Sequence, residues 1–123
     1  MSTIQASNVS DGTTTVGTSY VVNGSAKAWA NINGTGTITA RDSLNVSSLV
    51  DAATGGYNYN FTNNMDNTGF ITTTSAFRDN DAYTGVFYND QLTSQTSTRH
   101  YNRGTTTRAD VDTVYIVVHG DLA

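Results

Sequence analysis

Residues Gly24–Met65 read GSAKAWANINGTGTITARDSLNVSSLVDAATGGYNYNFTNNM, and this stretch decides the fold class. Ala26, Ala28, Ala30 and Ile32 share one parity, and Lys27, Trp29 and Asn31 share the other. Further on, Tyr57, Tyr59 and Phe61 alternate with Asn58, Asn60 and Thr62. A period of two is the mark of strands with two distinct faces. Asn33-Gly34-Thr35-Gly36 and Gly55-Gly56 supply turns between them.

Outward from this stretch, the pattern predicts further strands. They fall at Thr18–Val22, Ala26–Ile32, Thr37–Arg41, Leu44–Val50, Tyr57–Thr62, Phe70–Phe77, Ala82–Tyr88 and Val111–His119. Asn23-Gly24 reads as a hairpin turn, Arg78-Asp79-Asn80-Asp81 as a charged loop tip, and Asn89-Asp90 as the start of another turn. Leu92–His100 is polar and weakly patterned, an edge strand or a long loop. No segment carries apolar residues at i, i+3, i+4 and i+7 over useful length, so no helix is expected. The last strand is apolar on both faces, which calls for two apolar layers around it, the second of which a neighbouring subunit could supply. The alanine face of residues 26–32 has two readings. It is a tight subunit contact, or it lies under a neighbouring loop while Trp29 fills the core from the other side; the second is preferred.

Composition agrees with a folded all-β chain. Of 123 residues, 13% are charged, proline and cysteine are absent, and Thr, Asn, Ser and Gly dominate around well-spread aromatics. The expected architecture is one compact antiparallel β-sandwich over residues 18–123, preceded by a polar arm over residues 1–17. The arm is either held by its own oligomer or a neighbouring protein, or packs on the domain as a first strand. A small β domain with a polar surface has a thin core. With no disulfide available, oligomerisation is the expected source of added stability.

The segment AKAWANINGTGTITARDSLNVSSLVDAATGGYNYNFTNNM, residues 26–65, also resembles a short β domain found near the C-termini of tail-fibre-like proteins of tailed bacteriophages, many of them marine. The likeness runs through Ala-Lys-Ala-Trp, Asn-Gly-Thr-Gly, Asn-Val-Ser-Ser and the alternating aromatic strand. It extends to Val114–Gly120, where His119 stands in place of an aromatic. The resemblance implies a structural virion protein, and fibre-like phage proteins are typically homotrimers. The leading expectation is therefore a small trimeric tail-fibre or appendage protein contributing to host-surface attachment, with the arm docking on other virion proteins. A capsid decoration or head-fibre protein is the alternative, and a soluble glycan-binding lectin module a further one.

The net charge of −4 argues against a nucleic-acid partner. No run of about 18 apolar residues predicts a membrane span. The first residues lack the basic and apolar regions of a signal peptide, so synthesis in the host cytoplasm and a place on the virion, at the tail or the capsid surface, are expected. No nucleophile elbow, phosphate loop or carboxylate pair points to an enzyme, and no cofactor is expected. Asp79 and Asp81 have the spacing of calcium ligands, but the glycine and later acidic ligand of a calcium loop are missing, so no metal is expected. The sequons at Asn8, Asn23, Asn33, Asn45 and Asn60 are chance products of an Asn-, Ser- and Thr-rich chain. One stretch stands out for recognition. Arg99, His100, Tyr101 and Arg103, with Arg108 beyond, gather scarce positive charge beside an aromatic. These five residues are the candidate contact with a host-surface glycan or protein.

Overall fold

A computed structural model describes residues 1–78, 81–87 and 91–123, with 81–87 described through their backbone. The acidic spacing at Asp79 and the expected turn at Asn89-Asp90 lie outside the described residues. The described chain is all-β apart from one short helix. Strands β1 (Asn8–Ser10) and β2 (Thr15–Gly17) form a hairpin of their own. Helix α1 (Thr18–Gly24) follows. Then come β3 (Ala28–Asn33), β4 (Thr39–Leu44), β5 (Val46–Ala53), β6 (Gly56–Phe61), β7 (Ile71–Arg78), β8 (Asp81–Phe87), β9 (Gln95–Tyr101) and β10 (Thr113–His119). These eight make one antiparallel sheet in the order β4-β3-β10-β7-β8-β9-β6-β5.

Strands β4 and β5 lie at opposite edges of that sheet, yet only Asn45 separates them in sequence. The sheet must therefore curl until its edges meet at this residue, giving a sandwich-like body closed around one core. Strands that switch layers do so at bends and bulges. Asn45 bends with φ of 56°, a left-handed conformation that Asn tolerates better than most residues. Its side chain then takes the place of a ladder pair, accepting from the Asn63 N–H at 2.7 Å and donating to the Asn63 carbonyl at 3.0 Å. Register shifts flank the corner, between Asn31 and Ile32 in β3 and between Val46 and Ser48 in β5.

The core is built from alternating residues. Ala28, Ala30 and Ile32 of β3, Val114, Ile116 and Val118 of β10, and Tyr57, Tyr59 and Phe61 of β6 are all buried in one cluster. The alanine face is therefore the core face, and Trp29 looks outward, which reverses the preferred reading. The reason is volume: large rings on β6 leave room only for small partners in the same cluster. Within one chain, β10 has its apolar layer on the inner face. Its outer residues Tyr115 and Val117 stay exposed or half-exposed while its inner ones are buried.

Two further expectations are corrected. Thr18–Val22 is helical rather than extended, and Asn23-Gly24 closes the helix instead of turning a hairpin. A lone strand here would leave its backbone groups unpaired, whereas a helix satisfies its own. Lys27 Nζ adds bonds to the carbonyls of Val22 and Ser25 at the C-terminal end. Leu92–His100 yields β9, which is neither edge nor loop: it pairs with β6 on one side and β8 on the other. Residues Thr96, Ser97, Thr98, Arg99 and His100 are all buried. Buried Thr96 finds a partner across the interior, its Oγ1 lying 2.8 Å from Thr72 Oγ1.

Replacing Asn45 tests the corner. Asn45→Ala removes two hydrogen bonds and strains the left-handed backbone, and should cost about 2 kcal/mol in urea unfolding. Asn45→Gly keeps the conformation and should recover about 1 kcal/mol of that loss. Wild-type stability in both variants would contradict a structural role for this residue.

Candidate binding site

Strand β9 runs past its last sheet partner into a hairpin tip. Tyr101 bridges Arg108 across it. The Asn102 N–H donates to the Thr107 carbonyl at 2.9 Å, and the Thr105 N–H to the Asn102 carbonyl at 3.1 Å. The Thr105 hydroxyl accepts from the Thr107 N–H at 3.2 Å and donates to the Asn102 carbonyl at 3.2 Å. Gly104, with φ of 71°, makes the turn possible. The tip is thus shaped by its own bonds. It encloses an open depression of about 620 Å³ lined by Tyr101, Gly104, Thr105, Thr106 and Arg108.

The base of the hairpin is fixed on both sides. The His100 N–H donates to the Gly55 carbonyl at 2.8 Å, and the Ala109 N–H donates to the His100 carbonyl at 3.1 Å. Asp110 Oδ1 accepts from the Gly55 N–H at 2.6 Å. The tip therefore projects from the buried part of the sheet.

The five residues singled out in the sequence divide by position, two within the buried part of β9 and three toward the hairpin tip. Tyr101 and Arg108 line the depression. Arg103 is exposed on the same tip but outside the lining. Arg99 is buried, its stem lying over Gly56, with Nη1 donating to the Thr98 carbonyl at 3.0 Å. His100 is fully buried on the opposite face. Its Nε2 lies 3.0 Å from Thr98 Oγ1, which in turn lies 3.2 Å from the Tyr59 hydroxyl. The His100 ring centroid is 5.6 Å from that of Tyr57, and Nδ1 has no hydrogen-bond partner among the described residues. Arg99 and His100 are thus internal residues, and a surface contact falls to Tyr101, Arg103 and Arg108. Gly104, Thr105 and Thr106 were not singled out in the sequence. The available signal was a glycine followed by three threonines between two arginines, which reads as a tight polar turn.

Burial governs the electrostatics beneath the tip. It pushes the Tyr57 phenol up to about 12, opposed by the bond from the Val111 N–H. It raises the Tyr59 phenol further, opposed by Thr98. His100 is driven down to about 4, first by burial and then by the positive charge of Arg99. Among the described residues no group of three or more His, Cys, Asp or Glu gathers to hold a metal ion. No helix among them is long and apolar enough to cross a membrane. Comparison with protein families, curated proteins and solved structures finds no match to this chain.

The buried histidine makes stability depend on pH. The unfolded chain takes up this proton near pH 6.5 and the folded chain only near pH 4. Stability is complete above the unfolded value and falls as pH drops from about 6.5 to 4, by up to about 3 kcal/mol. Urea unfolding across that window should show the loss in the wild type and a much flatter profile in His100→Gln. Equal slopes in the two proteins would exclude His100 as the cause.

Proposed function

We propose that the chain is a structural and adhesive virion protein of a tailed phage, assembling as a homotrimer in a tail appendage that meets the host surface. The observation that carries this reading is the outer face of β4-β3-β10-β7. Antiparallel partners share a face. Leu44, Trp29 and Val117 form one row across three strands. Tyr115 stands in the next row, beside Asn31 and Ser75. Phe77 and Ile71 complete the face on β7, and the Phe77 and Tyr115 rings lie 6.3 Å apart. Leu44, Ile71, Phe77 and Tyr115 are all exposed. Such a face, with Asp42 and Arg41 confined to its β4 edge beside Asn31, suits burial against further copies of itself better than contact with water. The resemblance of residues 26–65 to phage fibre-type β domains supports the same assembly.

The first residues supply the attachment. Ile4, Val9, Val16, Tyr20, Val21 and Val22 are exposed, and α1 buries no residue. This hairpin and helix have secondary structure without a core of their own, as expected of a segment that docks on other virion proteins. The same segment favours a second reading, in which the chain clamps or decorates the phage head. The depression at the β9–β10 tip fits the adhesive role and would also serve a free glycan-binding module.

In sedimentation, the protein should run at three times its 13.1 kDa chain mass, and Tyr115→Lys should shift it to monomer with an unchanged β spectrum. Electron microscopy of virions with a labelled copy should place it at the tail. A regular array on the head would favour decoration. A wild-type monomer at micromolar concentration, or absence from the particle, would contradict the proposal.

A further inference from the structure

The tip differs in charge from the rest of the molecule. Residues 91–109 contain Arg99, Arg103 and Arg108 and no acidic residue, in a chain whose net charge is −4. Arg99 is buried over Gly56, so its charge reaches the tip only through space. Arg103 is already engaged by a partner. Arg108 is exposed, and its guanidinium makes no hydrogen bond or ion pair with the described residues. It therefore presents a full set of donors at the wall of the depression.

Its neighbour defines what those donors serve. Tyr101 and Arg108 are bridge partners, so their side chains leave the same side of the hairpin about 5 Å apart at Cβ. Both line the depression. A planar aromatic face thus stands next to a guanidinium fork. Gly104 brings no side chain to the wall, which lets a ligand approach the backbone there. The Thr105 hydroxyl is committed to the turn, while the Thr106 hydroxyl makes no bond within the described residues. The site offers one flat apolar surface, one bidentate cation and one hydroxyl.

We propose that this depression binds a carboxylate-bearing saccharide, a uronic-acid type of residue. The apolar C–H face of the sugar lies on Tyr101, its carboxylate pairs with Arg108, and Thr106 meets a ring hydroxyl. Arg is suited to this because its planar fork matches a carboxylate with two parallel bonds. A neutral sugar would leave the guanidinium unused, and a small inorganic anion would leave the tyrosine face bare. The inference deepens the adhesive reading and rests on it for its biological setting.

Calorimetric titration with trigalacturonate, its fully methyl-esterified form and sodium sulfate separates these possibilities. The acid should bind, the ester should bind at least about tenfold more weakly, and sulfate should compete poorly. Binding of the acid should weaken with added salt. Arg108→Gln should cost about tenfold in affinity, and Tyr101→Leu should weaken acid and ester alike. Arg108 is exposed, so its replacement leaves the fold intact, and thermal melting of both variants checks this. Equal binding of acid and ester would overturn the carboxylate assignment while leaving an adhesive site. Sulfate binding as tight as the acid would reduce the site to a simple anion site. Binding of none of the three overturns the inference, whereas failure of the virion reading would appear separately, as absence from the particle.

Discussion

The fold depends on one buried hydroxyl. Tyr57 on β6 reaches across the interior, donates to the Gly34 carbonyl at 2.8 Å and accepts from the Val111 N–H at 3.1 Å. Gly34 and Val111 are themselves paired, N–H to carbonyl at 3.0 Å. One side chain thus joins the turn after β3 to the segment before β10, on the far side of the core from its own strand. Position 34 must be glycine for this to happen, because a Cβ there would sit 2.4 Å from the Tyr57 oxygen. Leaving such groups unpaired in the interior is expensive.

From this clasp the remaining features follow in order. With β6 tied to β3 and β10, the two halves of the sheet face each other and the edges are drawn together at Asn45. The tyrosine rings then fill the space that the alanines of β3 leave open. At the other end of the body, Phe70 packs edge-on to Phe61 and requires a glycine at position 120. His100 is enclosed because it shares the inner face with Tyr57 and Tyr59. Next along β9, Tyr101 faces the other way, and the chain leaves the sheet carrying its exposed tip.

How much of this was legible in the sequence depended on polarity. The strands with alternating apolar residues, above all Tyr57–Phe61 and Ala28–Asn33, could be read because a two-faced environment writes a two-residue period. Strand β9 could not, because threonine, serine, arginine and histidine give no such period. Its place between β6 and β8 is set by tertiary pairing. Helix α1 was hidden for the converse reason: Tyr20, Val21 and Val22 favour strands, but no strand among the described residues is available to pair with them. At the tip, charge and aromatic content drew attention to residues 99–108, but placing His100 on the core face needed the register against Tyr57, and the burial of Arg99 comes from its packing over Gly56, which no sequence pattern marks. The outer sheet face was legible only as excess hydrophobicity in the last strand, because sequence cannot say which side of a strand is already covered.

The most direct test of this account is native-state hydrogen exchange at the Val111 amide in the wild type and in Tyr57→Phe. If the hydroxyl clasps the two halves, the Val111 amide of the wild type exchanges only with global unfolding. The variant then loses about 2–3 kcal/mol of stability and exchanges at Val111 through a local opening. Unchanged protection at Val111 together with wild-type stability would contradict the account.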